Sequence, residues 1–230
     1  MGCYTSRIDI TAEEAAVMNF EMILGYSKLS AIYLDRVHRK YSYKGSISET
    51  QWKDICKTLS LAPSYSDSSQ HIFNYYENYK DSAISFSLKK LLILGVLLGE
   101  GNSLEKGKLL FEIMDESGSE KLSSEQIQDL ITLMVKISCE MNPRIFLKDD
   151  YNDVTFKDLE KYIAKLSKGK ENIINKVMKK ITKGCETVNI EDFLRRLSYG
   201  EIQNFFSAHG IRTYVKMNIS RYGTRQKKAD

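Results

Sequence analysis

The sequence predicts an all-α protein arranged as two lobes. Apolar residues recur three or four positions apart along most of the chain, which is the spacing of one face of a helix. The 230 residues include only 2 prolines and 13 glycines, fewer than a turn-rich β-protein needs. Short apolar points between the helices also recur at intervals of about 35 residues, which indicates a repeated supersecondary unit.

The first three helices are predicted from capping and periodicity. Thr11 opens a Thr-Ala-Glu-Glu capping-box pattern, in which side-chain oxygens accept hydrogen bonds from the free amides of a helix start. Apolar residues at helical spacing then mark the buried faces. They are Val17, Phe20, Ile23 and Leu24 in the first helix, Leu29, Ile32, Tyr33, Val37 and Tyr41 in the second, and Trp52, Ile55, Cys56 and Leu59 in the third.

The later helices follow the same rule. Residues 88–98 are apolar on nearly every side, which predicts a helix buried all round. Amphipathic segments are predicted over 109–114, 127–137, 159–166, 173–181 and 193–199. The β signals between these helices cover only one or two residues each.

Five points between helices share one pattern, an apolar residue followed by Ser, Thr or Asn that opens the next helix. They are Ile47-Ser48, Ile84-Ser85, Leu122-Ser123, Val154-Thr155 and Val188-Asn189. Each unit is therefore predicted as helix, polar loop, one apolar residue, N-cap and helix. Tetratricopeptide repeats have a similar period, but their Trp, Gly and Tyr spacing is absent.

These residues resemble the EF-hand superfamily over positions 28 to 200. When each apolar residue is aligned with the eighth position of a twelve-residue loop, the loops span 40–51, 77–88, 115–126 and 181–192. Gly45 then falls where the family has its turn glycine. The resemblance implies a two-lobed array of helix-loop-helix pairs with very short β bridges between paired loops. The groups it resembles are the neuronal calcium sensors and the calcineurin B-like proteins.

The resemblance divides the chain into four parts. Residues 1–27 are an N-terminal segment with an extra helix, 28–99 the N-terminal lobe, 100–200 the C-terminal lobe, and 201–230 a basic C-terminal tail. The C-terminal lobe is expected to contain an inserted half-hand near 147–167.

The half-hand is expected because Pro143 falls where its incoming helix would run, and proline disrupts a helix interior. Ile47 and Ile84 are expected to mark the first lobe. In the second lobe, Leu122 is expected to pair with Val188, and the alternative is that Val154 pairs with Val188.

The loops lack the ligands of a strong calcium site. Calcium takes about six to eight oxygens, normally including a bidentate Glu at the twelfth position. The four loops have Gln51, Leu88, Gln126 and Asp192 there, and Lys40 begins the first loop. We therefore expect no required cofactor.

The third loop keeps the most oxygen donors and is the candidate for weak calcium binding. Its candidate ligands are Asp115, Ser117, Ser119, Lys121, Ser123 and Gln126. Glu120 replaces the turn glycine, and most donors are neutral, so low affinity is expected. The alternative is a metal-free loop held by capping. The predicted capping boxes are Ser48 with Gln51, Ser123 with Gln126 and Thr155 with Asp158.

The N-terminus suggests a lipid anchor. Met-Gly-Cys-Tyr-Thr-Ser fits the N-myristoylation pattern, with Gly2 as the acceptor. Cys3 is a candidate for palmitoylation, and two acyl chains anchor a protein stably. The alternative is a Gly2 without this role. No secretory signal or membrane-spanning run is visible, and the four separate cysteines suit a reducing compartment. We expect a cytoplasmic protein associated with membrane, or alternatively with the cytoskeleton or a cilium.

The C-terminal segment is strongly basic. Residues 212–230 contain six basic residues and one acidic residue, in a chain whose net charge is +4. Because large apolar residues lie among these charges, we expect 214–222 to pack on protein and 224–230 to remain extended. The docking site would be the protein's own groove or an anionic partner. Nucleic acid is not favoured, since its binding domains usually carry their charge on a folded face with aromatics.

We expect a binding or regulatory protein rather than an enzyme. His38, His71 and His209 are scattered, and no hydrolase or phosphate-binding motif is present. The resemblance implies capture of an amphipathic partner helix in an apolar groove. Candidate groove residues are Phe86, Leu92, Ile93, Leu97, Met114, Met134 and Met141. The alternatives are a structural EF-hand component of a cytoskeletal or ciliary assembly and a genuine calcium sensor using the loop at 115–126.

Overall fold

The computed structural model of the chain describes residues 10–62, 70–146, 154–198 and 200–226. Within these ranges it is mostly helical, with two small antiparallel sheets, as the predicted all-α class requires. The helices are α1 (Ala12–Ile23), α2 (Ala31–Tyr41), α3 (Glu49–Leu59), α4 (Gln70–Glu77), α5 (Leu88–Leu98), α6 (Ser103–Met114), α7 (Ser124–Lys136), α8 (Phe156–Thr182), α9 (Ile190–Leu197) and α10 (Ala208–Gln226). The strands are β1 (Ser46–Ser48), β2 (Lys80–Ser82), β3 (Ser85–Ser87), β4 (Lys121–Ser123) and β5 (Thr187–Asn189).

Polar side chains fix where the helices begin. Caps open α1, α2, α3, α5, α6, α7, α8 and α9, each accepting a hydrogen bond from an amide three residues on. The predicted capping boxes at Ser48, Ser123 and Thr155 are confirmed, and Asn102 with Glu105 adds a fourth. Each cap contributes about 1 kcal/mol, so these helix starts need no bound ion to hold them.

The strands join the helix–loop–helix units in two groups. In the first sheet, β3 lies between β1 and β2, and Ile47 lies opposite Phe86. In the second, β4 pairs with β5, and Leu122 lies opposite Val188. The expected pairing of Leu122 with Val188, rather than Val154 with Val188, is confirmed.

The prediction that Ile84 is the apolar strand residue of the second loop is wrong, because Phe86, two residues later, has that position. Ile84 lies in the turn between β2 and β3 and is 77% exposed. The turn is tight because the hydroxyls of Ser82 and Ser85 are 2.7 Å apart and the Ile84 amide donates to Ser82. Phe86 is therefore the apolar residue that enters the core, where its ring lies 5.3 Å from that of Trp52.

The two segments predicted over 159–166 and 173–181 are parts of one long helix, α8. Lys168, Lys170 and Glu171 between them favour a helix, and Gly169, which does not, lies where α10 approaches closely. The predicted half-hand at 147–167 is therefore not a separate helix in its described part, because residues 156–167 begin α8. Its acidic residues Asp149 and Asp150 lie outside the described residues.

Pro143 lies just after the end of the α7 path. Residues 137–141 form a π-helical turn that continues α7, and 142–146 form a 3₁₀ turn. A proline cannot donate an amide hydrogen bond, so regular α-helix ends before it.

One hydrophobic core extends through both halves of the protein. As predicted, α5 is buried almost all round, with Leu91 and Leu94 fully buried. The expected lobe boundary at residues 99 and 100 is also bonded to α2, because Ala31 donates to the Glu100 carbonyl at 2.7 Å. The two expected lobes are therefore packed together at this boundary.

The C-terminal helix α10 packs on α8 and on residues 137–141 and 200–206. Tyr214 and Val215 are buried, as expected for 214–222, whereas the side chain of Tyr222 lies outside the described residues. The expected extended segment at 224–230 is corrected in part, since α10 continues to Gln226.

Candidate functional site

The third loop closes around its own carboxylate. Asp115 Oδ1 accepts hydrogen bonds from the Ser119 amide at 2.9 Å and from the hydroxyls of Ser119 and Ser117 at 3.0 and 3.2 Å. Its Oδ2 accepts from the Glu120 amide at 2.7 Å. Partial desolvation opposes ionisation, but these bonds outweigh it and hold the pKa of Asp115 below its usual value.

The other predicted ligands of this loop are brought together but are engaged with one another. Gln126 accepts from the Ser123 amide at 2.9 Å and donates to the Met114 carbonyl at 2.9 Å, while the Lys121 carbonyl accepts from Ser119 at 3.0 Å. Among the six predicted ligands only Asp115 carries a carboxylate. The donor set therefore fits calcium poorly, and in the described residues no group of three or more His, Cys, Asp or Glu could hold a metal.

The second loop holds a side-chain ammonium. Lys90 lies four residues after Phe86, as Gln51 and Gln126 lie four residues after Ile47 and Leu122. Its Nζ donates to the Lys80 carbonyl at 3.0 Å and lies 2.8 Å from Asp81 Oδ1. The ammonium group of Lys90 thus satisfies these two oxygens of the loop without a metal ion.

The predicted groove residues lie in the core. Phe86, Leu92, Ile93, Leu97, Met114, Met134 and Met141 are each 7% exposed or less. They belong to the continuous hydrophobic core formed by the chain's own helices. The structure therefore brings these residues together inside the protein. The prediction that they line an open groove is corrected, because the chain's own helices cover them.

A buried charged cluster was missed by the sequence analysis. Arg212 on α10 is fully buried and reaches two carboxylates of α1. Its Nε donates to Glu14 at 2.9 Å, while Nη1 and Nη2 donate to Glu21 at 2.7 and 2.9 Å. Nη1 also donates to the Ser138 carbonyl at 3.2 Å. We call Glu14, Glu21 and Arg212 the Arg212 cluster.

Further polar groups surround Glu14. His209 Nδ1 lies 2.7 Å from Oε1, Lys216 Nζ donates to Oε2 at 3.0 Å, and Tyr162 also donates to Oε2. Burial alone would raise the pKa of Glu14. The hydrogen bond with His209 and the positive charge of Arg212 outweigh burial and hold this pKa well below its usual value.

The network continues from Glu21 to Tyr75 of α4 and to Tyr79, which lies just after that helix. Asn142 donates to Glu21 at 2.6 Å and accepts from the Tyr75 hydroxyl at 2.8 Å. Tyr79 completes the chain with a hydroxyl contact of 2.7 Å to Tyr75. Burial raises the pKa of Tyr75, so it stays a neutral hydrogen-bond donor. These bonds position helices relative to one another, and we assign them no chemical step.

The sequence contains one signal that could have revealed this cluster. Glu14 and Glu21 are seven residues apart, which places them on one face of α1 together with Val17. Charged residues on an otherwise apolar face need buried partners. Arg212 likewise lies between Ile211 and Tyr214, both of which are buried.

A second buried ionisable residue lies in the N-terminal half. His38 Nδ1 donates to the Leu34 carbonyl at 2.7 Å, and its Nε2 has no hydrogen-bond partner within the described part of the chain. The ring lies 6.1 Å from that of Trp52. Burial lowers the pKa of His38 to about 4, so the ring is neutral at pH 7.

The predicted lipidation sites, Gly2 and Cys3, lie outside the described residues. Cys56 and Cys139 are buried free thiols, and burial raises the pKa of each to about 12. Cys185 is exposed. Over the four described ranges, no helix combines the length and the apolar character that crossing a bilayer requires.

No protein-family model matches the chain, and no curated protein matches it.

Proposed function

We propose that this chain is an EF-hand-like binding or regulatory protein that captures an amphipathic helix of a partner protein. The support is the recurrence of helix, loop, short strand, N-cap and helix, with Ile47 opposite Phe86 and Leu122 opposite Val188. The apolar periodicity of the sequence supports the same family resemblance.

The observation that carries the proposal is the seat of α10. This helix packs against α8 and against residues 137–141 and 200–206, with Tyr214 and Val215 buried. Gly169 of α8 lies so close that a side-chain carbon there would be 2.7 Å from Ile219 Cγ1. A surface that accepts one helix this closely is suited to accept another, so we propose that a partner helix competes with α10 for it.

We propose that the protein acts without calcium. Asp115 is satisfied by hydrogen bonds from its own loop, and Lys90 places an ammonium among the oxygens of the second loop. Both arrangements support loops that keep their shape without an ion. The alternative is a calcium sensor that uses the loop at 115–126. Its support is weaker, because only one of the predicted ligands is a carboxylate.

We also propose a cytoplasmic location at a membrane surface, through acylation of Gly2 and of Cys3. The sequence pattern at the N-terminus is the support for this location.

A fixed structural role in a cytoskeletal or ciliary assembly is the second candidate. One observation favours it: a single hydrophobic core extends through both halves, and the Arg212 cluster fastens α10 to α1. A body with no separation between its lobes suits a rigid component.

Competition for the α10 seat provides the test. The probe is a fluorescein-labelled peptide of residues 208–226, added to the full chain carrying Val215→Ser. Val215 is fully buried, so this change should weaken the chain's own helix and let the native peptide bind in its place. Fluorescence anisotropy should show at least tenfold tighter binding than to the wild-type chain.

Met217→Ser is the matched control, because Met217 is 39% exposed on the same helix. It should bind the peptide as weakly as the wild type, and a scrambled peptide should bind neither. If Val215→Ser folds, as circular dichroism reports, and still gains no affinity for the peptide, the seat is not a helix-capture site.

A further inference from the structure

The outer side of α8 carries a row of exposed lysines. The helix has 27 residues, which is about 40 Å at roughly 1.5 Å per residue. Residues three or four positions apart share one face of a helix. Exposed lysines at this spacing are Lys157, Lys161, Lys165 and Lys168; Lys179 lies on the same side three turns further on, and Lys183 follows at the C-terminal cap. We call these six residues the lysine face.

The charge of this face is only partly neutralised from within the protein. Asp158, Glu160 and Glu171 are the acidic residues of α8, and Asp158 lies 3.5 Å from Lys161. In the described ranges, the side chains of Lys157, Lys165, Lys168 and Lys179 form no ion pair with an acidic residue. By contrast, Lys170 lies toward the core and pairs with Glu140.

The composition of the face indicates what kind of anion it suits. Its cationic groups are all lysine ammonium groups, and the exposed residues among them are Ala164, Asn172 and Asn175 together with the carboxylates of Glu160 and Glu171. Aromatic side chains, on which bases of single-stranded nucleic acid stack, are absent from these positions. A row of hydrated point charges is suited to an extended anionic surface such as phospholipid headgroups.

The start of α1 lies beside the same helix. Tyr162, two turns into α8, donates to Glu14 in the first turn of α1. Gly2 precedes Ala12 by about ten residues, and such a segment spans at most about 35 Å. A single acyl chain gives only marginal membrane binding, whereas an acyl chain together with a basic patch gives stable attachment. The lysine face is within reach of the segment that carries the acylation pattern.

We propose that the lysine face of α8 is a docking surface for anionic phospholipid headgroups. This inference goes beyond helix capture, and it depends neither on the α10 seat nor on acylation. The face binds by charge attraction, so its binding weakens as salt screens the ammonium groups.

The test is vesicle co-sedimentation of the full chain made in bacteria, where Gly2 stays unacylated. Vesicles of phosphatidylcholine alone are compared with vesicles containing about 30% phosphatidylserine, because each Lys near an anionic surface strengthens binding about fivefold. The variant Lys157→Gln/Lys165→Gln/Lys168→Gln should lose at least tenfold in partitioning to the anionic vesicles. The control Lys40→Gln/Lys57→Gln/Lys108→Gln removes the same charge from exposed positions on α2, α3 and α6 and should lose less than twofold.

Raising the salt should release the wild-type chain, and all three proteins should unfold at the same urea concentration. Equal binding by the two triple variants, equal binding of wild type to neutral vesicles, or no binding at low salt contradicts the proposal. Lysine-dependent binding to immobilised polyglutamate or to DNA without binding to vesicles would assign the face to another polyanion and would also overturn it. None of these outcomes bears on the peptide competition at the α10 seat.

Discussion

At the residue scale, Arg212 is the charged residue whose environment differs most from the expectation for a basic tail. Its guanidinium satisfies Glu14 and Glu21 inside the protein, so its charge is not available to an outside partner. A buried ion pair adds little net stability compared with an apolar pair. Removing one partner is costly, however, because the remaining buried charge then has no opposite charge beside it.

Arg212→Met is therefore expected to lower the free energy of unfolding by about 3–5 kcal/mol, measured by urea denaturation. The control Arg195→Met removes a guanidinium that is 67% exposed and should cost less than about 1 kcal/mol. Adding Glu14→Gln and Glu21→Gln to Arg212→Met should restore part of the loss. A loss from Arg212→Met no larger than from Arg195→Met would show that the cluster does not hold α10 to α1.

The buried His38 predicts a pH dependence. Its pKa is about 4 in the folded protein against an ordinary value of 6.5, so between these pH values the unfolded chain binds the proton that the folded chain excludes. Stability should therefore fall as pH falls from 6.5 to 4, by about 3 kcal/mol from this residue. His38→Phe removes the titrating group, and urea unfolding at several pH values should show a shallower acid loss than in wild type. Parallel curves for the two proteins would contradict the buried, neutral assignment of His38.

At the element scale, the close approach of α8 and α10 depends on Gly169. A side-chain carbon at this position would lie 2.7 Å from Ile219 Cγ1 and 3.0 Å from Val215 Cγ1. Contacts this short require the Ile219 side chain or the two helices to shift, since protein interiors pack without spare volume.

We expect Gly169→Val to destabilise the protein by about 1–3 kcal/mol through overpacking. The lower helix propensity of glycine would by itself favour the change by only a few tenths of a kcal/mol, so packing decides the sign. Asn172→Val, at an exposed position on the same helix, is the matched control and should shift the urea midpoint little. Equal midpoints for the two variants would mean that α10 is not seated closely on α8.

At the scale of the whole molecule, the proposed independence from a metal ion rests on contacts within the loops. Hydrogen bonds around Asp115, the ammonium of Lys90 and the capping boxes each replace a function that a metal would serve. Because a ligand stabilises a protein only when its concentration approaches the dissociation constant, a very weak calcium site adds almost nothing.

Thermal unfolding in millimolar calcium and in chelator should therefore give midpoints within about 1 °C of each other, since the stabilisation is on the order of 0.1 kcal/mol. A rise of 10 °C or more in calcium would contradict the metal-independent loops. Asp115→Asn provides the control, because a calcium-dependent rise that disappears in this variant would identify the third loop as the sensor.

The sequence by itself determined the features that depend on neighbours along the chain. The helix starts at Ser48, Ser123 and Thr155 follow from capping patterns within four residues, and the helical content follows from apolar periodicity. The pairing of Leu122 with Val188 also followed, because the proline before the Val154 unit weakened the alternative.

Only the tertiary structure decided which side chains meet across the chain. Phe86 replaces Ile84 in the first sheet because a tight hairpin moves the strand by two residues, and spacing alone does not reveal this turn. The predicted groove is filled, and Arg212 is paired with Glu14 and Glu21, because α1 and α10 pack on the same part of the core. A periodic pattern identifies the apolar face of each helix, but the partner of that face is chosen by packing between residues nearly 200 positions apart.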